Sequence, residues 1–282
     1  MMGATLVLLV RELKKWFGRK PVLVMSLLTP VLWIALFGKS LNLTNMLMPP
    51  GSLEGISPEM MKVIEQMVTS RLIELFGTTD YFTYISSGML VVFAVFQGMF
   101  SGISIIFDKR LGYMDRLLVA PIPRLSIWLS KILAVAVRVT LLSLLLLAVS
   151  LLLGMNLKDG IGFLDLLASW SYIILLAMTI ASLYALLSFY ADNQEIVFAA
   201  GNLLNLPLMF TSSAMFPVEQ MPEWLQRLAS ANPVTFAADL VRYHLIGRPV
   251  GDYSAELVKL VVIALVMLVI SGWASLRWMN NR

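Results

Sequence analysis

The chain has 282 residues, of which 59% are hydrophobic and 13% charged, with a net charge of +4 and no cysteine. Its mean hydropathy is +0.83, whereas an ordinary soluble domain is about 45–50% apolar and about 25% charged. Those values exclude a soluble globular enzyme, a disordered chain, a collagen-like fibre and a disulfide scaffold; they leave a polytopic helical membrane protein.

In chain order, residues 1–20 read as an interfacial helix. Leu6, Leu9, Val10, Leu13, Trp16 and Phe17 recur at helical spacing, with Arg11, Lys14 and Lys15 turned away. Gly18 and Pro21 then break the chain. A bilayer core about 30 Å thick needs about 20 apolar residues of helix. Six segments meet that length: about Pro21–Leu41, Tyr81–Phe107, Ile132–Leu153, Leu166–Ala191, Ile196–Ser213 and Leu257–Leu276. Their apolar runs are continuous, without the period-2 alternation of a barrel. The loop Asn42–Asp80 contains a helix near Pro58–Phe76, and Asn156–Asp165 is short. The loop 214–256 holds Met215, Phe216, Trp224, Leu225, Leu228 and Phe236, enough apolar surface for a partly re-entrant helical segment. The expected fold is one all-α transmembrane domain, 1–282, with six transmembrane helices and no inverted repeat.

Lysine and arginine report orientation. One side would carry Arg11, Lys14, Lys15, Arg19, Lys20, Lys109, Arg110, Arg116, Arg124, Lys131, Arg277 and Arg282. The other carries Lys39, Lys62, Arg71, Lys158, Arg227, Arg242, Arg248 and Lys259, spread over longer loops that are rich in acids such as Glu54, Glu59, Glu65, Glu74 and Asp80. Both termini are therefore expected in the cytoplasm, and the protein in the cell membrane. Arg138 lies within the third span and is expected to snorkel toward Lys131.

Several chemistries have no residues to carry them. The sequence has no G-x-x-x-x-G-K-[ST] and no G-x-S-x-G. Its one histidine, His244, reads as an ordinary interfacial residue and rules out a His-cluster metal site. No catalytic residue, metal site or bound cofactor is expected, nor any nucleic-acid partner.

The segment 108–131 is the most informative. Mixed charges lead into a short helix with Leu111, Met114, Leu117 and Leu118 on one side and Asp115 and Arg116 on another, closed by Pro121 and Pro123. Such a helix, held at the surface between two spans, suits either a groove in a soluble partner or no partner at all. The segment resembles the loop of type-2 ABC exporter permeases, in the daunorubicin-resistance-like branch, with its motif R-E-x-G-T-x-E-R-L-L-x-x-P-x-x-R. Arg110, Gly112, Arg116, Leu117, Leu118, Pro121 and Arg124 match, as does Lys131 at the start of the next span. Asp115 stands for the family's Glu, Leu111 for an acid and Ser130 for a Gly. A second stretch is similar as well: Asn205-Leu206-Pro207, then 216–225, Asn232-Pro233 and Arg242, with Ser212-Ser213-Ala214 where the family has Ser-Gly.

The resemblance implies a permease that pairs with a second copy or a related permease and with two cytoplasmic ATPase subunits, which bind the ATP and Mg. It places the ATPase-coupling interface at Asp108, Lys109, Arg110, Gly112, Asp115, Arg116, Pro121 and Arg124. Spans two and five would form the subunit face and the substrate pathway, giving Phe93, Phe96, Gln97, Gly98, Phe100, Gly102, Asn202 and Asn205 as candidates. Ala94, Gly98 and Gly102 form a stripe of small residues, with a similar one at Ala177, Ala181 and Ala185, which also suits packing inside one chain. Aromatic rings with a few amides suit an amphipathic drug-, lipid- or glycolipid-like cargo. The alternatives are an ion-coupled carrier that needs no ATP, or a membrane scaffold.

Overall fold

The computed structural model describes residues 2–18, 20–38, 57–191 and 193–281, and among them every regular element is helical. In chain order these are α1 (Met2–Phe17), α2 (Lys20–Trp33, continued by a π-helical turn at Ile34–Gly38), α3 (Pro58–Phe76), α4 (Tyr81–Arg110) and α5 (Tyr113–Val119). There follow α6 (Arg124–Leu152), α7 (Phe163–Tyr190), α8 (Gln194–Phe210), α9 (Glu223–Ala229), α10 (Pro233–Leu245) and α11 (Tyr253–Asn280). The end of the first expected span at 39–41, the loop stretch 42–56 with Glu54, and Arg19, Asp192 and Arg282 lie outside the described residues.

Among the described residues, four helices are long and apolar enough to cross a membrane: α6, α7, α11 and α4, the last within the run Glu59–Arg110. The other two expected spans are shorter. Helix α2 has 14 residues before its π-helical turn, with Pro30 inside, and α8 has 17 with Pro207 inside. Helices α4, α6 and α7 run in alternating directions, and α11 runs as α7 does. Both described chain ends therefore meet at one end of the bundle, here the proximal end. There α1 packs on α6, and Arg124 donates to the Met279 carbonyl and, at 2.7 Å, to Asn280 Oδ1.

Helix boundaries depart from hydropathy in one instructive way. Helix α4 runs past Phe107 to Arg110, and α6 begins at Arg124 rather than near Ile132. The helices continue through charged residues because each finds a partner in the bundle: Asp108 and Lys131 pair with one another, while Lys109, Arg110 and Arg124 donate to oxygens at or beside the ends of neighbouring helices.

Helix α4 is the axis of the fold. It packs against α6, α7, α8 and α10, and Tyr81 to Val95 are buried without interruption. A helix apolar all round belongs in the interior. Helix α11 is the opposite case, with Val262, Leu265 and Val269 exposed on its outer face. The seam between α4 and α7 is set by small side chains. Ala94, Ala177, Ala181 and Ala185 are fully buried, and a Cβ at Gly98 would sit 2.6 Å from Ile180 Cγ2 and 2.9 Å from the Ala181 nitrogen. At Gly102 it would lie 2.8 Å from the Tyr184 carbonyl oxygen. Gly98 and Gly102, expected on a pathway or dimer face, instead face α7 of the same chain, which leaves no room there for a second subunit.

The distal end is organised by Arg242 of α10, whose side chain is fully buried. Its guanidinium donates to the carbonyls of Ser213 (2.7 Å), Ala214 (2.7 Å) and Tyr84 (3.2 Å) and to Ser87 Oγ (3.2 Å). It also lies 3.6 Å from the centre of the Tyr84 ring. Tyr84 and Tyr81 donate their hydroxyls to the Ser213 and Met215 carbonyls at 2.8 and 3.1 Å. In the non-helical turn after α8 the Ser213, Ala214 and Met215 carbonyls thus each accept from a protein side chain. Gly88 allows the close approach, since a Cβ there would fall 1.9 Å from the Ala214 oxygen. Among the described residues no non-glycine has a positive φ, so Ala214 holds this turn without strain.

Gly98→Ala and Gly88→Ala are expected to destabilise the fold by about 1–3 kcal/mol each, as overpacked core positions do. Gly251→Ala, where a Cβ meets nothing within 4 Å, should change stability by less than about 0.5 kcal/mol. Thermal unfolding in detergent micelles reads all three, and equal melting of Gly98→Ala and the parent protein would refute the seam as described.

Candidate functional site

At the proximal end a stripe of α1 is buried: Thr5, Leu8, Glu12 and Trp16. This differs from the expected apolar face, for Leu6, Val10 and Phe17 are exposed. The stripe turns inward because Glu12 has a partner there. Lys131 of α6, 3% exposed, donates to Glu12 Oε1 at 2.8 Å, to Ser104 Oγ at 3.1 Å and to Asp108 of α4. Ser104 donates to the other Glu12 oxygen at 2.9 Å. From α1, Lys15 reaches Asp108 Oδ1 at 3.0 Å and Arg11 reaches it at 3.3 Å. Arg11 also pairs with Glu12 at 2.9 Å and stacks 3.3 Å from the Tyr113 ring centre. Burial alone would raise the Glu12 carboxyl, but the Lys131 ammonium and its hydrogen bond outweigh that and hold it below the ordinary carboxylate value. Lys15 is lowered by burial and by the like charge of Lys131.

The expected coupling residues divide into two groups. Asp108 is 1% exposed and forms part of this cluster, so it offers no surface to a partner. Lys109 turns to the C-terminal end of α7 and donates to the carbonyls of Phe189 (3.1 Å) and Ala191 (2.6 Å), where a cation suits the negative helix end. Arg110 donates to Asn193 Oδ1 at 2.7 Å, and Arg124 holds the end of α11. Asp115, Arg116 and Pro121 are exposed, and Asp115 and Arg116 form no ion pair among the described residues. Gly112 has φ +65, and a Cβ there would meet nothing within 4 Å, so it serves the left-handed turn between α4 and α5 rather than a close contact. Met114 and Leu117 anchor α5, but Leu111, expected beside them, is 70% exposed. The outward face of α5 is therefore Asp115, Arg116 and Val119, continued by Leu111 in the turn before it.

A lateral cleft of about 560 Å³ lies between α2, α4 and α8. Phe93, Phe96, Gln97 and Phe100 of α4 line it, with Met25 and Trp33 of α2 and Leu206 and Phe210 of α8. Asn205, by contrast, is buried and accepts from the Tyr184 hydroxyl at 2.7 Å, while Asn202 is exposed outside the cleft lining. Arg138 turns toward the Lys131 end as expected, bonding one turn back to the Ala134 carbonyl, but its side chain stops short of water: it is 8% exposed and lines a smaller crevice with Glu12 and Lys15. At the distal end His244 is held by Asp165 (2.8 Å) and Tyr253 (3.2 Å). Among the described residues no group of three or more acids or histidines could hold a metal ion.

Sequence reasoning missed Glu12. The available signal was its isolation: it is the one acid among the first 20 residues, four positions from Leu8 and from Trp16.

These elements define an integral membrane protein of packed apolar helices, with a short surface helix braced at one end and an apolar cleft in its side. The chain belongs to the ABC-2 type transporter family, which matches residues 3–246. It is 30% identical over 243 residues to the protein named transport permease ycf38 of Porphyra purpurea, covering 83% of this chain and 72% of that one. Against the Cyanophora paradoxa protein of the same name it is 28% identical over 240 residues, 84% and 73% of the two chains. The daunorubicin resistance ABC transporter permease protein DrrB1 of Streptomyces coeruleorubidus is 27% identical over 190 residues, 67% of this chain and 66% of that protein.

Breaking a buried ion pair by removing one partner costs about 3–5 kcal/mol. Glu12→Gln and Asp108→Asn should therefore release α1, read as faster tryptic cleavage at Arg11, Lys14 and Lys15 in micelles, with Asp115→Asn unchanged. Because the Glu12 pKa is lowered on folding, its contribution is complete above the unfolded value of about 4.3 and is lost as pH falls through the lower folded value. Hydrogen exchange of α1 should stay slow at neutral pH and accelerate only in stronger acid.

Proposed function

We propose that this chain is the permease subunit of an ABC exporter, with six membrane spans, both termini in the cytoplasm of a cell-membrane complex, and separate ATPase subunits that bind ATP and Mg. Two ATPases and a second permease, identical or related, complete the assembly. The observation that carries this reading is α5. Its outward face holds Asp115 and Arg116, which form no ion pair among the described residues, beside exposed Val119 and the exposed Leu111 of the preceding turn, while its inward face is anchored by Met114 and Leu117. A soluble partner gripping that face pushes on a rigid lever, because the adjoining end of α4 is tied through Asp108 to α1 and α6. Family membership supports the division of labour, since the relatives are named as permeases.

The cargo in this reading is an amphipathic drug-, lipid- or glycolipid-like molecule, and its pathway runs along Phe93, Phe96, Gln97 and Phe100. The apolar cleft supports it, as does the name of the daunorubicin resistance relative. An ion-coupled carrier draws less support: Glu12 and Asp108 are already matched by Lys131, Lys15 and Arg11 at the proximal end, not poised midway along the spans.

The purified chain should hydrolyse no ATP until a cytoplasmic ABC ATPase subunit is added, and should co-purify with that subunit. Reversing charge with Asp115→Lys or Arg116→Glu is expected to weaken assembly about tenfold, equivalent to about 1.4 kcal/mol, without lowering the melting temperature. Transport by the chain alone in ATP-free vesicles would sink the proposal.

A further inference from the structure

The lateral cleft does not end at its apolar wall. Ser26, Gln97 and Phe100 line both the cleft and a small crevice of about 80 Å³, so the two adjoin. Arg138 stands in that crevice. Its Nε donates to the Ala134 carbonyl of its own helix at 3.1 Å, but its two terminal nitrogens have no acceptor and no carboxylate within ion-pair distance among the described residues. The Gln97 amide, 2% exposed, also has no hydrogen-bond partner among the described residues. Two acids, Glu12 and Asp108, face four cations around the crevice: Arg11, Lys15, Lys131 and Arg138. Both acids are committed to the first three. The cluster therefore carries two positive charges in excess, and of its four cations Arg138 is the one that forms no ion pair among the described residues, feeling the Glu12 carboxylate only through space. A guanidinium buried in an apolar helix with open donors is costly unless something negative meets it.

We infer that the cleft and crevice form one site for an anionic amphiphile, its acidic head group on Arg138 and Gln97 and its chain among Phe93, Phe96 and Leu206. Arg138 presents a planar fork that fits a phosphate or carboxylate, and the Gln97 NH2 adds a neutral donor where tail and head meet. The aromatic cleft above offers the chain contact without hydrogen-bonding demands. This assignment rests on the cleft being the cargo pathway and adds to it the sign of the cargo's charge.

The test uses the full chain in nanodiscs of zwitterionic lipid, without any ATPase, and compares dodecyl phosphate, dodecyltrimethylammonium and inorganic phosphate by displacement of an environment-sensitive apolar dye and by calorimetry. Dodecyl phosphate should bind on the order of tenfold more tightly than the cationic probe, the increment of a charge-assisted hydrogen bond. Arg138→Gln should erase that preference while leaving dye binding in the cleft, and Arg138→Lys should keep part of it. Phe96→Ala should weaken both chain-bearing probes alike. Equal affinity for the two charged probes, a preference that survives Arg138→Gln, or inorganic phosphate binding as tightly as dodecyl phosphate would each overturn the inference. Because no ATPase is present, those outcomes leave the permease reading standing, and a failure of ATPase assembly would leave this binding result standing.

Discussion

Everything at the proximal end depends on one lysine without water. Lys131 sits inside the bundle, where Glu12 and Asp108 reach it from two other helices. The cost of desolvating an ammonium is several kcal/mol, and one carboxylate rarely offsets it. Two carboxylates, with Ser104 bridging, make the arrangement tolerable and at the same time decide where α1 and the end of α4 must lie. A demand of solvation thus becomes a demand of geometry.

The two ends of the bundle solve the same problem differently. Proximally, side-chain charges neutralise one another across three helices. Distally, Arg242 meets mostly backbone carbonyls, in a turn that has no helix to satisfy them. Between these anchors the long helices need little beyond apolar contact and the close α4–α7 seam. Polar chemistry is concentrated where helices end, except along the crevice at Arg138.

Much of this was legible in the sequence. Unbroken apolar runs located α4, α6, α7 and α11, and Ser57, Pro58 and Gly77 mark the limits of α3 as its cap residues do in the structure. Hydropathy ends a span at its first charge, however, and so placed Asp108 and Lys131 in a solvated loop. Only a three-dimensional pairing shows that the helices run on through them. The same blindness hid Glu12, since an acid on a basic amphipathic helix reads as surface. The small residues at Gly98 and Gly102 were legible as a contact stripe, but the partner was not: a stripe states that a helix comes close, not which helix. The residues of α5 could be found by pattern, yet which of its charges were free depended on the folded surroundings of Asp108, Lys109 and Arg124.

The grip of Arg242 on backbone oxygens has a consequence for how this protein can vary. A contact with carbonyls is blind to the side chains that the turn carries, so within 212–215 the demand on sequence comes from burial and from Ser212, which donates to the Met209 carbonyl at 2.7 Å and accepts from the Ala214 N–H at 3.3 Å. A further restraint falls on distant positions: on Arg242, on the Tyr84 ring beneath it and on Gly88, where any added carbon would collide. In this turn, shape is inherited from its neighbours as much as from itself.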